Sequence, residues 1–341
     1  MKLGLSIGYS GAELKLPVDK VQLAERLGFD SVWTAEAYGS DALTPLAWWG
    51  SRTTRIRLGT AIAQLSARTP TAAAMAALTL DHLSGGRFIL GLGASGPQVA
   101  EGWYGDDYRA PLARTREYVD IVRQVLAREA PVEFKGNRYQ LPNPNGTGFG
   151  KPLKSIVHPL RPDIPIWLGA EGPKNVAQTA EIADGWIPIF YTPKSADMYQ
   201  PWLDEGFARP GARRTRADFE IAATCHLEIT DDKQRVIEAM KPYVSLYMGG
   251  MGAKEQNFHK QVFERMGYAE LADQVQKLYL SSEKDRATEL IPDELVDDLH
   301  IIGSESEVKE RVAQWEETGV TTLLLSARSA DEIRSVAELL A

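Results

Sequence analysis

Cysteine is almost absent from this sequence: Cys225 is the only one in 341 residues. No intrachain disulfide can form, and zinc sites built on several thiolates are excluded. Long apolar runs are missing as well, so no segment reads as a membrane span. The first residues, Met1 to Ile7, are apolar too briefly for a signal-peptide core, and a glycine and a charged loop follow. The expectation is a cytoplasmic protein with no membrane partner. Clustered positive charge is missing too. The net charge is −8, and the nearest basic cluster, Arg213-Arg214-Thr215-Arg216, reads as a solvated loop, so no nucleic-acid partner is expected. His226 and the other four histidines lack metal-ligand spacing and read as structural or surface residues, which leaves no metal site. No G-x-S-x-G elbow occurs, and Cys225, inside a strand pattern, has no base beside it, so hydrolase chemistry has no visible nucleophile.

What is present is an ordinary globular composition, 44% apolar and 25% charged. Short apolar runs alternate with helical patterns, the signature of a parallel sheet with crossover helices. Strands are expected at 2–7, 31–34, 56–61, 88–90, 166–169, 186–189, 220–229 and 321–325. Helices are expected at 18–27, 44–51, 71–83, 114–128, 174–183, 231–247, 304–318 and 330–340. Ser304 with Glu307 three residues later forms a capping box that opens one of them. About eight strands in a chain of this length favour a single (β/α)8 TIM barrel over residues 1–341, with long insertions near 92–113, 131–165 and 248–299 at its C-terminal mouth.

Two glycine-rich turns follow strands. Gly91-Leu92-Gly93-Ala94-Ser95-Gly96 matches G-x-G-x-x-G, but Pro97 and a loop-like Trp103-Tyr104-Gly105 follow where a dinucleotide fold needs a helix and an acidic strand end. Its glycines are read as allowing backbone to approach a ligand ring. Leu168-Gly169-Ala170-Glu171-Gly172-Pro173-Lys174-Asn175 runs from a strand into a helix, a junction that offers free N–H groups to a phosphate or simply makes a turn. Glu36, just past the second strand, is the carboxylate placed where barrel chemistry occurs; it serves as an acid, base or ligand contact, or as a solvated loop residue. Trp48, Trp49, Trp103 and Tyr104 are candidates for an aromatic mouth, with at least one of the helical pair in the core.

Phe29-Asp30-Ser31-Val32-Trp33, Arg57-Leu58-Gly59-Thr60-Ala61-Ile62, Leu83-Ser84-Gly85-Gly86-Arg87-Phe88-Ile89-Leu90-Gly91-Leu92-Gly93 and Ala183-Asp184-Gly185-Trp186 together resemble the bacterial luciferase-like superfamily over almost the whole chain. Glu101-Gly102-Trp103-Tyr104-Gly105 and the stretch from Pro111 to Tyr118 resemble its coenzyme F420-dependent branch, which includes methylenetetrahydromethanopterin reductase-like proteins. The resemblance implies an oxidoreductase that exchanges a hydride between C5 of a deazaflavin and a small-molecule substrate, with the cofactor doing the redox chemistry. It implies that Glu36 sits beside the ring and that Ala61 and Ile62 back it through a non-proline cis peptide. Gly93, Ala94, Ser95 and Gly96 then border it, and Gly169, Ala170, Glu171, Gly172, Lys174 and Asn175 hold the phosphate. It also implies a homodimer. Sugar-phosphate dehydrogenases of the family carry an acidic residue after the fourth strand and an Asp-His pair after the second; here Gly96 and Glu36-Ala37 stand instead, which argues against that activity. An FMN-dependent luciferase-like monooxygenase and a non-catalytic flavin-binding relative are the alternatives.

Overall fold

In a computed structural model, which describes residues 1–327 and 329–340, eight parallel strands close on themselves. They are β1 (Lys2–Gly8), β2 (Ser31–Thr34), β3 (Arg57–Thr60), β4 (Phe88–Gly93), β5 (Ile166–Gly169), β6 (Gly185–Ile187), β7 (Glu220–Cys225) and β8 (Thr322–Leu325). Leu58 pairs with Phe88 across β3 and β4, and Lys2 with Thr322 across β1 and β8, which completes the ring. The expected (β/α)8 barrel is the fold. Helices form where apolar spacing and caps agree. In Pro70–Ser84, Thr69 accepts a hydrogen bond from the Ala72 N–H at 3.3 Å, and Gly85 stops the helix in the left-handed region at φ 68°. The capping box expected at Ser304 and Glu307 is present.

The barrel interior is filled by large side chains set against strand glycines. Trp33 and Trp167 lie with ring centroids 5.0 Å apart and pack with Ile89, Ile187, Ala222 and Leu324 into one buried layer. Gly59 stands directly across the ladder from Trp33, and Gly185 from Trp167. A methyl group on Gly185 would come within 2.8 Å of the Trp167 indole, so the rings occupy the space that side chains on those strands would need. Below this layer Arg57 bridges Asp30 at 2.6 Å and Glu220 at 2.9 Å, and Lys2 reaches Glu220 at 2.8 Å, sealing the N-terminal end with paired charge.

Several boundaries differ from the sequence reading. The fourth strand runs on to Gly93, because its glycines are strand positions, and a single turn of helix, Pro97–Ala100, follows. The long strand expected at 220–229 is broken at His226, and its second half, Leu227–Ile229, pairs with Ile301–Gly303, a three-residue strand too short to show a period. The helix expected at 231–247 is Lys233–Ser245 and passes into a π turn at Leu246–Gly250. The 248–299 segment is mostly helical, with Phe258–Phe263, Ala269–Leu280, Lys284–Glu289 and Asp293–Leu299 around a separate apolar cluster.

The basic cluster is not simply solvated. Buried Asp184 accepts the Ile166 N–H at 2.8 Å and pairs with Arg213 at 2.7 Å, Arg214 at 2.8 Å and Arg123 at 3.0 Å, tying the start of β5 to the loop before β7. Removing the carboxylate leaves three cations facing one another, with Asp163 as the acid that still pairs with all three among the described residues. Asp184→Ala is therefore expected to cost about 3 kcal/mol in urea unfolding, in the range for breaking a buried pair. A loss below about 1 kcal/mol, the level of an exposed pair, would assign the cations to Asp163.

Candidate functional site

All loops that follow strands open at one end of the barrel, and the floor there is Ile62. Strand β3 ends at Thr60; the Ala61–Ile62 peptide is cis, as the resemblance implied, and the chain rejoins the sheet at Ala63–Gln64 beside β4. Ala61 and Ile62 pack on the tryptophan layer beneath. A methyl on Gly93 would meet the Ile62 side chain at 2.7 Å, and one on Gly169 would meet it at 3.2 Å. These two glycines make room for Ile62. The space a Gly93 side chain would need is taken by Ile62, which leaves the Gly93 backbone as the part that can border a ligand.

Glu36 holds this floor in place. Its carboxylate is buried, at 6% exposure, and accepts hydrogen bonds from the Gln64 N–H at 2.9 Å, the Ala42 N–H at 3.2 Å and the Arg68 guanidinium at 2.7 and 3.2 Å. Its own N–H donates to the Ile62 carbonyl at 3.2 Å, and its carbonyl accepts from the Gln64 amide at 2.8 Å. Arg68 also pairs with Asp41. Two backbone N–H groups and a bidentate guanidinium occupy both oxygens, which suits a fixed carboxylate better than a mobile acid or base. Arg68 and Asp41 were not legible, since they meet Glu36 only through folding.

The turn after β5 leads into Pro173–Ile182, whose N-cap Gly172 supplies no side-chain cap. Gly172 is half-buried and Lys174 is exposed, while Asn175 donates its N–H back to the Gly172 carbonyl at 3.0 Å. Arg265, from the 248–299 segment, brings a guanidinium to 4.0 Å from where a Gly172 methyl would stand. An uncapped helix N-terminus beside a cation is an anion-binding geometry. Glu171 points elsewhere. One of its oxygens lies 2.8 Å from Nδ1 of His259, out of line for a hydrogen bond, and the other is buried without a protein partner. Ala94 and Ser95 continue the mouth next to Gly96, with Ser95 at φ 61° and its carbonyl accepting the Tyr108 hydroxyl at 2.8 Å.

The aromatic mouth is the expected one in part, and Phe190, Tyr247 and His259 join it. Trp49 is core, and Trp48 lies on the outside at 46% exposure under the Arg52 guanidinium. Trp103 and Tyr104 do line a cleft of about 220 Å³ with Glu36, Ala37 and Arg68. The larger cleft, about 480 Å³, opens beyond β1 and β8 along Gly8, Tyr9 and Ser326. Phe190 after β6, Tyr247 in the π turn and His259 stack edge to face, with Phe190–Tyr247 centroids at 5.2 Å and Tyr247–His259 at 4.9 Å. Burial, and then Tyr9, push the Tyr247 phenol above its ordinary value. No sequence signal marked these residues, because three separate loops bring them together.

A closed barrel with its shaped, polar and aromatic groups gathered on the loops beyond the strand ends is a protein of the class that works at its C-terminal mouth. The chain belongs to the luciferase-like monooxygenase family, whose model matches residues 3–322. A Mycobacterium tuberculosis protein, provisionally named a coenzyme F420-dependent oxidoreductase, is 62% identical over 99% of both chains. The 5,10-methylenetetrahydromethanopterin reductase of Archaeoglobus fulgidus is 28% identical over 89% of this chain and 87% of its own. Among solved structures, the coenzyme F420-dependent tetrahydromethanopterin reductase of Methanopyrus kandleri superposes with a TM-score of 0.79 at 24% identity, covering 99% of this chain and 97% of that one, a likeness of fold.

The Gly93 and Ile62 contact gives a direct test of the floor. Gly93→Ala forces a methyl into the Ile62 side chain and is expected to destabilise by about 1–3 kcal/mol. In the Gly93→Ala, Ile62→Ala pair the clash is gone, so a favourable coupling of about 1 kcal/mol is expected in a double-mutant cycle. Simple additivity would mean that the two residues do not press on each other.

Proposed function

We propose that the chain is a coenzyme F420-dependent oxidoreductase acting on a small organic substrate. The observation that carries this reading is the Ile62 platform, packed on the barrel layer and accompanied by an uncapped helix end with Arg265 beside it. A planar ring with an anionic side chain fits those two features in that order. Bound there, coenzyme F420 would supply hydride exchange at C5. The chain's own residues do the rest. Ala61 and Ile62 back the ring; Ala94, Ser95 and Gly96 border it; Gly172, Lys174 and Asn175, with Gly169 and Ala170 shaping the turn, hold the phosphate. Glu36 acts through Gln64 and Arg68 to fix the platform, a positioning role. A single buried cysteine suits a reducing cytoplasm.

Titration with coenzyme F420 and with FMN decides the cofactor. Coenzyme F420 is expected to bind more tightly, and equal or tighter FMN binding would favour the monooxygenase alternative. Gly172→Val should weaken coenzyme F420 binding by about tenfold or more, the worth of a lost charge-assisted contact; unchanged affinity sinks the phosphate assignment. Turnover of reduced coenzyme F420 against a panel of carbonyl and imine acceptors separates an enzyme from a non-catalytic binder.

We also infer a homodimer formed through the face around the 149–160 arm. Phe149 and Ile156 are 91% and 92% exposed there, next to exposed Leu153, Val157 and Leu160. The arm is held to Pro70–Ser84 by the His82 ring against the His158 carbonyl at 2.8 Å, and that helix adds exposed Leu83. Burying such side chains is worth about 1.5–3 kcal/mol each, a strong drive for one copy to cover another. The Phe149→Asp, Ile156→Asp variant is expected to run as a monomer in light scattering with its unfolding midpoint kept; a wild-type monomer would remove the proposal.

A further inference from the structure

We propose that His259 exchanges with the substrate the proton that accompanies hydride transfer, and that Glu171 positions its ring. This rests on the deazaflavin reading above. A carbonyl or imine that gains a hydride must also gain a proton, and the group that supplies it must stand at the mouth and be able to take and give a proton. Among the described residues at the mouth, few qualify. Glu36 has both oxygens engaged by four donors, and Ala37 beside it has no titratable group. The Tyr247 phenol is held above its ordinary range by burial and then by Tyr9, and Tyr9 is raised by burial and then by Tyr38. Cys225 is buried in β7, and burial pushes its thiol up to about 12.

His259 is built in with care that a surface histidine does not need. It sits in the first turn of Phe258–Phe263, whose N-cap Asn257 is buried and accepts the Lys260 N–H at 3.0 Å. The Asn257 amide also donates to the Tyr247 and Met248 carbonyls at 3.2 and 3.3 Å, so one side chain fixes this helix to the π turn. Phe190 and Tyr247 meet the imidazole edge to face at 6.2 and 4.9 Å. Nδ1 is 2.8 Å from Oε1 of Glu171, which stands in the turn after β5 next to the proposed phosphate site. Among the described residues the second Glu171 oxygen is buried without a hydrogen-bond partner. Among the described residues no hydrogen bond is made to Nε2, and the side chain is 25% exposed. The chain after this helix kinks at Gly267, which has φ 96°.

In the oxidising direction a substrate C–H bond breaks and its electron pair leaves with the hydrogen as hydride for C5 of the oxidised deazaflavin. The hydroxyl O–H bond breaks toward Nε2, its electron pair completes the C=O bond, and His259 becomes an imidazolium beside the Glu171 carboxylate. Reduction runs the same exchange backward, with the imidazolium giving its proton to the new alkoxide oxygen.

The test begins on the full-length protein titrated with coenzyme F420. Diethyl pyrocarbonate is then applied with and without saturating cofactor, and modification is read by peptide mass spectrometry. His259 is expected to react in the free protein and to be protected about tenfold or more when the cofactor covers it. With the acceptor found by the panel, His259→Asn should lower kcat by about 10²–10⁴-fold while coenzyme F420 affinity stays within about threefold. Glu171→Gln should lower kcat about tenfold or more with KM unchanged, a split that a structural role does not produce. Unprotected His259, or His259→Asn with kcat within about threefold of wild type, overturns the proposal. Failure of the wild-type protein to bind coenzyme F420 overturns instead the reading on which it rests.

Discussion

The arrangement on which the rest depends is the packing of tryptophan against glycine inside the barrel. An eight-stranded barrel is wide enough that its interior must be filled by side chains, and here two indoles do most of the filling. That works only because the strands opposite carry glycine at the facing ladder positions, Gly59 to Trp33 and Gly185 to Trp167. The Trp33 Nε1 donates to the Ser31 hydroxyl at 2.8 Å, so the burial of a polar edge is matched by a partner on the same strand. Ile62 rests on the resulting layer. One packing solution therefore supports both the fold and the floor of the mouth.

The second constraint is electrostatic and acts one step further out. A carboxylate buried at Glu36 is tolerable because backbone N–H groups and Arg68 surround it, and this saturation makes it an anchor between the β2 loop and the segment after β3. The floor is thus pinned from below by apolar contact and from the side by charge. The two act on different atoms of the same short segment, so it is held in one conformation before anything binds to it, which is what low-cost recognition of a rigid ring requires.

Much of the barrel was legible because its first strands and helices keep clean periods, and because Ser304 with Glu307 marks the start of one helix. What was not legible shares a cause. Ile301–Gly303 is three residues long and is a strand only because Leu227–Ile229 lies beside it. The π turn at Leu246–Gly250 has no pattern of its own, and Arg68 reaches Glu36 across 32 residues. The glycines of β4 were visible, but their reason was not. Gly93 accommodates a side chain from the neighbouring strand connection, a fact of register that one-dimensional spacing does not encode. The cis bond at Ala61–Ile62 and the identity of the mouth loops came from family resemblance and not from pattern.

The histidine at the mouth shows why sites of this kind resist sequence reading. His259 lies in a segment that folds around its own apolar cluster, with Val262, Phe263, Val275 and Leu295 packed against Val236 and Val244 of the helix after β7. That cluster shares Phe190 with the barrel loops and otherwise stands apart from the layer under Ile62. Floor and wall therefore rest on different sets of contacts. A substitution in the segment's core can shift the wall, with His259, Tyr247 and Arg265, while the tryptophan layer and the platform stay as they are. A fold divided in this way can keep one cofactor seat and vary what is presented above it, and the loops that carry the variable part are the least periodic stretches of the chain.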